Sequence, residues 1–381
     1  MVLVELFQQA IVGILVGYLA ITNALAEQIE PLFPTERPDA VAVHTTKEIT
    51  SEEVEKELAS LPSEYERGGA IPSILIANTA YQQAAVSGAA STSEMFPGAG
   101  KNRTQQVADA LLSIYCEYRT DEYLRVTTGT GFFVHEKGIV LTNAHVAQFL
   151  LLAEANERIQ DAECVLRSGD PAKPRYRAEL LYISPLWISE NAKLISEERP
   201  VGTGERDYAL LYAAEAVDQS ALPAVFPYLP LDTSLLSRRT TGEEMLIAGY
   251  LPESLSKDST QSVLTPVIAS STVGELYTFG SNYADVIDLS DSPVGAHGAS
   301  GGPVVQSDGT VIGIIATKGD PETGGSQSLR ALTLSYVDRT MIEETSHSLL
   351  RNLEGDPAVR GAIFRQALVP TLSKLLLSEL E

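Results

Sequence analysis

Residues 298–304 read Gly298-Ala-Ser-Gly-Gly-Pro-Val304, preceded by Asp291-Ser-Pro-Val-Gly-Ala-His297. Three glycines frame one serine, and an apolar, β-branched run follows. Ser and Gly are ordinary turn residues, so the stretch has two readings. It is a plain loop, or it is a tight turn that holds the Ser300 hydroxyl out as a nucleophile. Glycine lets a backbone approach a substrate closely and adopt positive φ. On the second reading the N–H groups of Gly298 and Ser300 converge on an oxyanion. The rest of the chain must then supply a base to take the serine proton and a group that orients the base.

The base candidate is His145. It ends the strand-like run GIVLTNAHV (138–146) and precedes AQFLLLAE, a short helix candidate. A loop at such a junction can present an imidazole, although a capping or core histidine would read the same way. The orienting candidate is Asp207, in RDYALL (206–211), where a carboxylate directly heads an apolar run. An Asp at the mouth of a strand can tuck inward and accept an imidazole N–H; a strand-edge turn is the plainer reading. His, Asp and Ser thus occur in that chain order, each in a fitting local frame.

The frame itself is β. From about Val107 short runs rich in β-branched and aromatic residues alternate with turns: LLSIYCEY, LRVTTGTGFFVH, GIVLTNAHV, ECVLRS, RYRAELLYI and DYALLYA, then EMLIAGY, QSVLTPVIASSTV, ADVIDLS, GPVVQ, TVIGIIAT and RALTLSYV. Strands at this spacing predict an all-β barrel or sandwich architecture. Prolines in VFPYLPL (225–231) divide them into halves, 106–225 and 226–340, with no repeat period between them. Beyond, the pattern turns helical, and residues 341–381 read as a helical extension. Residues 27–105 are acidic and rich in Pro, Gly and Ser, the composition of a stalk or pro-region.

The pieces TGTGFFV, LTNAHV, RDYALL, GASGGPV and VIGIIAT, in this order, resemble the chymotrypsin-like (trypsin-fold) serine peptidases. Bacterial Deg-like members look closer than digestive trypsins. The resemblance implies a mainly β fold of two six-stranded antiparallel barrels. It implies a serine endopeptidase in which Ser300 attacks, His145 shuttles the proton, Asp207 orients His145, and the N–H groups of Gly298 and Ser300 bind the oxyanion. Digestive members carry an Asp before the serine, which receives a new N-terminal ammonium on zymogen cleavage; here Ala299 stands there, so that switch is not expected. Deg-like proteins usually carry a PDZ domain after the barrels, and the tail after Asp338 is too short and helical for one. By motif position, Val294 lies near the floor of the primary pocket, Ile315 and Ala316 on its wall, and Ala316-Thr317-Lys318 pairs with substrate as an added strand. No acid stands in the pocket, so an aliphatic or small side chain is expected there rather than Lys or Arg. Lys318 would favour an acidic substrate residue nearby. His297 either lines the pocket or only steadies the loop.

Composition narrows the alternatives. The 381 residues carry a net charge of −23 and are 44% hydrophobic. A strongly acidic chain disfavours nucleic acid, whose phosphates need a basic surface. Leu6–Ala26 contains no charge, and about 20 apolar residues suffice to cross a bilayer. Ala24-Leu25-Ala26 is a small-x-small pattern, and no Lys or Arg precedes the run. Residues 1–26 are therefore expected to be a transmembrane anchor or a signal peptide cut after Ala26, with a buried helix as the third reading. Either of the first two means export to the cell envelope or beyond. In an exported protein the pair Cys116 and Cys164 reads as one disulfide, in a retained one as two buried thiols. The five histidines (44, 135, 145, 297, 347) form no HExxH, so no metal or other cofactor is expected. An α/β-hydrolase esterase needs strand–Ser–helix with the acid and His after the serine, and the order here is reversed. The remaining rival is a protease-fold peptide-binding module without turnover.

Overall fold

The computed structural model describes residues 102–120, 124–152, 159–196, 203–251, 264–289, 294, 299–318 and 329–379. The expected anchor or signal segment, the stalk up to residue 101, and the site candidates His297 and Gly298 lie outside the described residues.

Twelve strands fall among the described residues. β1 (Leu111–Thr120), β2 (Leu124–His135), β3 (Ile139–Thr142), β4 (Ile159–Ser168), β5 (Lys173–Ile183) and β6 (Ala209–Ala216) form one closed barrel. β7 (Glu244–Tyr250), β8 (Pro266–Tyr277), β9 (Val286–Leu289), β10 (Pro303–Val305), β11 (Val311–Lys318) and β12 (Leu329–Thr333) form a second. All pairings within them are antiparallel. Around the first ring the order is β1-β2-β3-β6-β5-β4, and around the second β7-β8-β9-β12-β11-β10. The two barrels therefore repeat one topology, although no repeat is visible in their sequences. The fold is the mainly β pair of six-stranded barrels that the resemblance implies. Closure removes the exposed edges that open sheets must otherwise protect.

Burial explains the strand pattern. β3 is buried at all four positions, and it lies between β2 and β6. Its run IVLT is apolar on both faces for that reason. β1 and β4 are paired so that Cys116 stands opposite Cys164, and the structure joins the two sulfurs with the Cα atoms 4.0 Å apart. Both cysteines are buried.

The helical ends differ from the sequence expectation at three points. Helix α1 (Arg103–Ala110) begins before the boundary placed at residue 105; Asn102 caps it by accepting the Gln105 N–H at 2.8 Å, and Val107 and Ala110 are buried. Asparagine is among the strongest N-caps, and this cap outweighs the linker-like composition. Helix α2 (Ala144–Ala147) contains His145, which is therefore helical rather than in a loop. After α3 (Pro185–Asn191) in the first half, helix α4 (Leu334–Thr345) starts inside the expected second half; the Thr333 hydroxyl caps it by accepting the Tyr336 N–H. The final helical pattern is two helices, α5 (Pro357–Ala367) and α6 (Val369–Ser378). Pro370 lacks the N–H that a continuous helix would use there. α5 packs on β5, and α6 on the turn 148–152 that follows His145. Leu372 and Leu376 of α6 are fully buried, each such side chain contributing about 1.5–3 kcal/mol.

Candidate active site

His145 and Asp207 meet directly. His145 Nδ1 lies 2.7 Å from Asp207 Oδ2, and the His145 backbone N–H donates to Asp207 Oδ1 at 2.9 Å. The Asp207 side chain is 5% exposed and the His145 side chain 26%. An ionised carboxylate only accepts, so Nδ1 carries the ring proton and Nε2 is left with a free lone pair. Burial acts to lower the imidazole pKa, but the charge of Asp207 and its hydrogen bond outweigh it, and the pKa is raised above 6.5. The ring is thus a base in its correct tautomer, stabilised when it takes a second proton.

The backbone around this pair is fixed locally. Asn143 Nδ2 donates to the Asp207 carbonyl at 2.8 Å, and Gln148 Nε2 to the His145 carbonyl at 3.1 Å. A Cβ on Gly129 of β2 would stand 2.6 Å from Val146 Cγ2. Glycine there lets α2 sit close against the strand.

Ser300 comes from the second barrel. Its carbonyl accepts the Thr130 N–H of β2 at 2.8 Å. Thr130 also accepts the Tyr250 N–H of β7 on its hydroxyl at 2.9 Å, and Thr142 Oγ1 donates to its carbonyl at 2.7 Å. Thr130 and Thr142 therefore staple the serine turn to the strand end that leads into His145. Gly301 has φ +88, and a Cβ on it would lie 2.0 Å from the Thr130 carbonyl oxygen and 2.4 Å from Thr142 Oγ1. Only glycine fits that position, because both the conformation and the space exclude a side chain. The turn is closed by Gly301 N–H to Ile315 O (2.7 Å) and Gly302 N–H to Ala299 O (2.9 Å). Ser300 Oγ donates to Ala316 O at 3.4 Å rather than to His145. The hydrogen bond between a catalytic serine and its base is often long before substrate binds and tightens in the Michaelis complex.

The remaining candidates divide. Val294 is wholly buried and shares the core of the second barrel with Ala299 and Ile315. Ala316 is buried as well, with its carbonyl facing Ser300. Thr317 and Lys318 lie on β11, paired to Arg330 and Leu329 of β12. On the other side of β11 the ladder to β10 runs only from Ile314 to Val311. The end of β11 therefore extends past its β10 partner. Sequence reading did not single out Thr130, Thr142 or Asn143. The one signal available was their position inside TGTG and LTNAH, beside residues already chosen.

A family model described as trypsin-like peptidase domain matches residues 129–314. No curated protein sequence matches the chain. Among solved structures, the serine endoprotease from Yersinia pestis is similar at 17% identity and a TM-score of 0.38, covering 64% of this chain and 65% of that one. The chain thus spans just under two thirds of that structure.

Proposed function

We propose that this chain, whose residues 129–314 match a family model described as trypsin-like peptidase domain, is a serine endopeptidase that hydrolyses protein or peptide substrates with His145, Asp207 and Ser300. The observation that carries the reading is the His145–Asp207 pair: one ring nitrogen is held by a buried carboxylate at 2.7 Å, which leaves the other free for the serine. Ser300 Oγ attacks the peptide carbonyl carbon while its proton passes to His145 Nε2. The tetrahedral oxyanion draws on the N–H groups of Ser300 and Gly298. His145 then protonates the leaving amine as the C–N bond breaks, and an acyl-enzyme remains. Water, deprotonated by His145, attacks the acyl carbon and releases the acid with Ser300 restored. Asp207 holds the tautomer and stabilises the imidazolium throughout.

The substrate backbone would add along the end of β11 at Ala316-Thr317-Lys318, past its ladder with β10. Val294, Ile315 and Ala316, which the family resemblance places at the primary pocket, are apolar and buried, and none is an acid, so cleavage is expected after aliphatic or small residues. A peptide library cleaved chiefly after Lys or Arg would overturn that preference. Ala299 is buried, and a Cβ placed on Gly249 would come 3.0 Å from its Cα. The place of the zymogen-type carboxylate is thus filled by packing, and activity should not require a new N terminus.

The test is labelling of the folded full-length chain by a fluorophosphonate. A labelled Ser300 supports the peptidase. A folded chain that takes no label at any probe concentration would favour a peptide-binding module without turnover.

Export belongs to the same proposal, through the uncharged run Leu6–Ala26. Among the described residues no helix is long and apolar enough to cross a membrane, and this run lies outside them. Protein retained in carbonate-washed membranes supports the anchor. A mature N terminus at Glu27 in the soluble exported fraction supports cleavage. Intact protein confined to the cytosol would overturn both.

A further inference from the structure

One face of α4 grips the segment that carries Asp207. Tyr336, Thr340 and Glu344 recur at four-residue spacing, so they share a helix face, and each bonds a residue flanking Asp207 or its support. Arg206 donates its backbone N–H to Tyr336 Oη at 3.1 Å. Its guanidinium reaches Glu344 Oε1 and Glu343 Oε2, each at 2.9 Å. On the other side of Asp207, Tyr208 Oη meets Thr340 Oγ1 at 2.8 Å. The Thr340 hydroxyl donates to the Tyr336 carbonyl at 3.0 Å, so Tyr208 is the donor in that pair.

Glu344 is the centre of this grip. It is 1% exposed. Tyr182 Oη of β5 donates to its Oε2 at 2.6 Å, and Ser184 Oγ to its Oε1 at 2.9 Å. The groups facing it are therefore Tyr182 at the end of β5, Ser184 just after it, Arg206 and Tyr208 before β6, and Tyr336 on its own helix. Burial pushes its carboxyl pKa up, opposed by the Arg206 charge and by the hydrogen bonds from Tyr182, Ser184 and Arg206.

Two features need explaining beyond packing. Arg206 sits at φ +56, a region that residues with side chains rarely occupy. Buried ion pairs seldom raise net stability over an apolar substitute, yet removing one partner is costly. Strain and buried charge coincide one residue before the carboxylate that orients His145. The left-handed kink at Arg206 turns the chain so that Asp207 faces His145 while both its neighbours face α4.

We propose that Glu344, acting through Arg206, is a positioning residue that holds the Asp207 carboxylate on His145 Nδ1. The inference rests on the peptidase reading for its kinetic consequence, but not for its structural one. In the full-length chain, Glu344→Gln keeps the size and removes the charge, and Arg206→Ala removes the other partner. Misplacing an orienting group by about 1 Å can cost on the order of 100-fold, so kcat should fall by roughly 10- to 100-fold with KM within about threefold. Arg206→Lys, which retains a cation for Glu344, should recover part of that loss. Independently of turnover, the far-downfield proton resonance of His145 Nδ1–H should shift upfield or broaden away in Glu344→Gln, and the His145 titration should move to lower pH. Ile342→Ala, on the exposed side of α4, should change none of these.

If Glu344→Gln does not fold, Tyr336→Phe removes only the hydroxyl that accepts the Arg206 N–H, and the same readings apply. A wild type that turns over peptide, with the Nδ1 proton, the His145 titration and kcat unmoved in folded variants, would overturn this inference and leave the peptidase standing. A wild type without turnover whose Nδ1 proton still shifts in Glu344→Gln would sustain the positioning role and count against the peptidase.

Discussion

Ser300→Ala is expected to abolish fluorophosphonate labelling and to lower kcat for peptide hydrolysis by about 10⁶-fold. The size follows from what the hydroxyl does in the proposed cycle. It forms the covalent bond, and nothing else on the turn can replace it. His145→Ala should cost a similar factor, since a serine without its base is left at its ordinary, very weak nucleophilicity. The double variant should be little worse than either single one, because the two residues act as a unit. KM should change little in all three. The fold should survive Ser300→Ala, since its hydroxyl makes one long bond to Ala316 O, while the turn is held by the backbone bonds of Ser300 O, Gly301 and Gly302. Labelling that persists on Ser300→Ala would place the nucleophile elsewhere and end this assignment. Intact-mass analysis of the labelled chain, followed by peptide mapping, reads the result directly.

The residues that made this site legible are those whose local sequence already encodes their geometry. Gly301 is glycine because its φ is +88 and Thr130 stands in the way of a side chain, so GASGG marks a turn of one kind. The twelve apolar runs each became a strand because closed barrels bury alternate or whole faces, and that burial is written in composition. What stayed hidden depends on contacts distant in sequence. The meeting of His145 with Asp207 across 62 residues is not written in either local stretch. Chain order and family resemblance suggested it, and the closure of the first barrel around β3 and β6 produces it. Arg206 looks like any surface arginine; it sits at φ +56, and its buried partner Glu344 lies 138 residues away on α4. The start of α1 is concealed by composition: Asn102-Arg-Thr-Gln105 is as polar as a linker, and the Asn102 cap together with the burial of Val107 and Ala110 makes it a helix. The same holds for the common order of the two barrels, which resides in strand pairing and leaves no period in the sequence.

Asp207→Asn is the sharpest test of the base. The substitution keeps the shape and one oxygen, so the His145 backbone N–H can retain its acceptor. The atom facing Nδ1 becomes an amide N–H, which donates. The ring must then accept at Nδ1 and carry its proton on Nε2, the nitrogen that has to take the serine proton. The wrong tautomer is expected to lower kcat by about 10⁴-fold. The pH dependence should move as well. In the wild type, burial lowers the His145 pKa, and the Asp207 charge and hydrogen bond overcome this and raise it. A base must be neutral to act, so the acidic limb of kcat/KM should lie above pH 6.5 in the wild type. With the carboxylate gone only burial remains, and the limb should fall below 6.5. Stability carries the same sign. A folded-state pKa raised above the unfolded value favours the folded protein fully below the unfolded pKa, and that advantage is lost as pH rises through the folded pKa. Asp207→Asn should therefore cost more in Tm at pH 5.5 than at pH 9. A limb that stays above 6.5 in Asp207→Asn, with Tm lowered equally at both pH values, would show that Asp207 does not set the charge of His145.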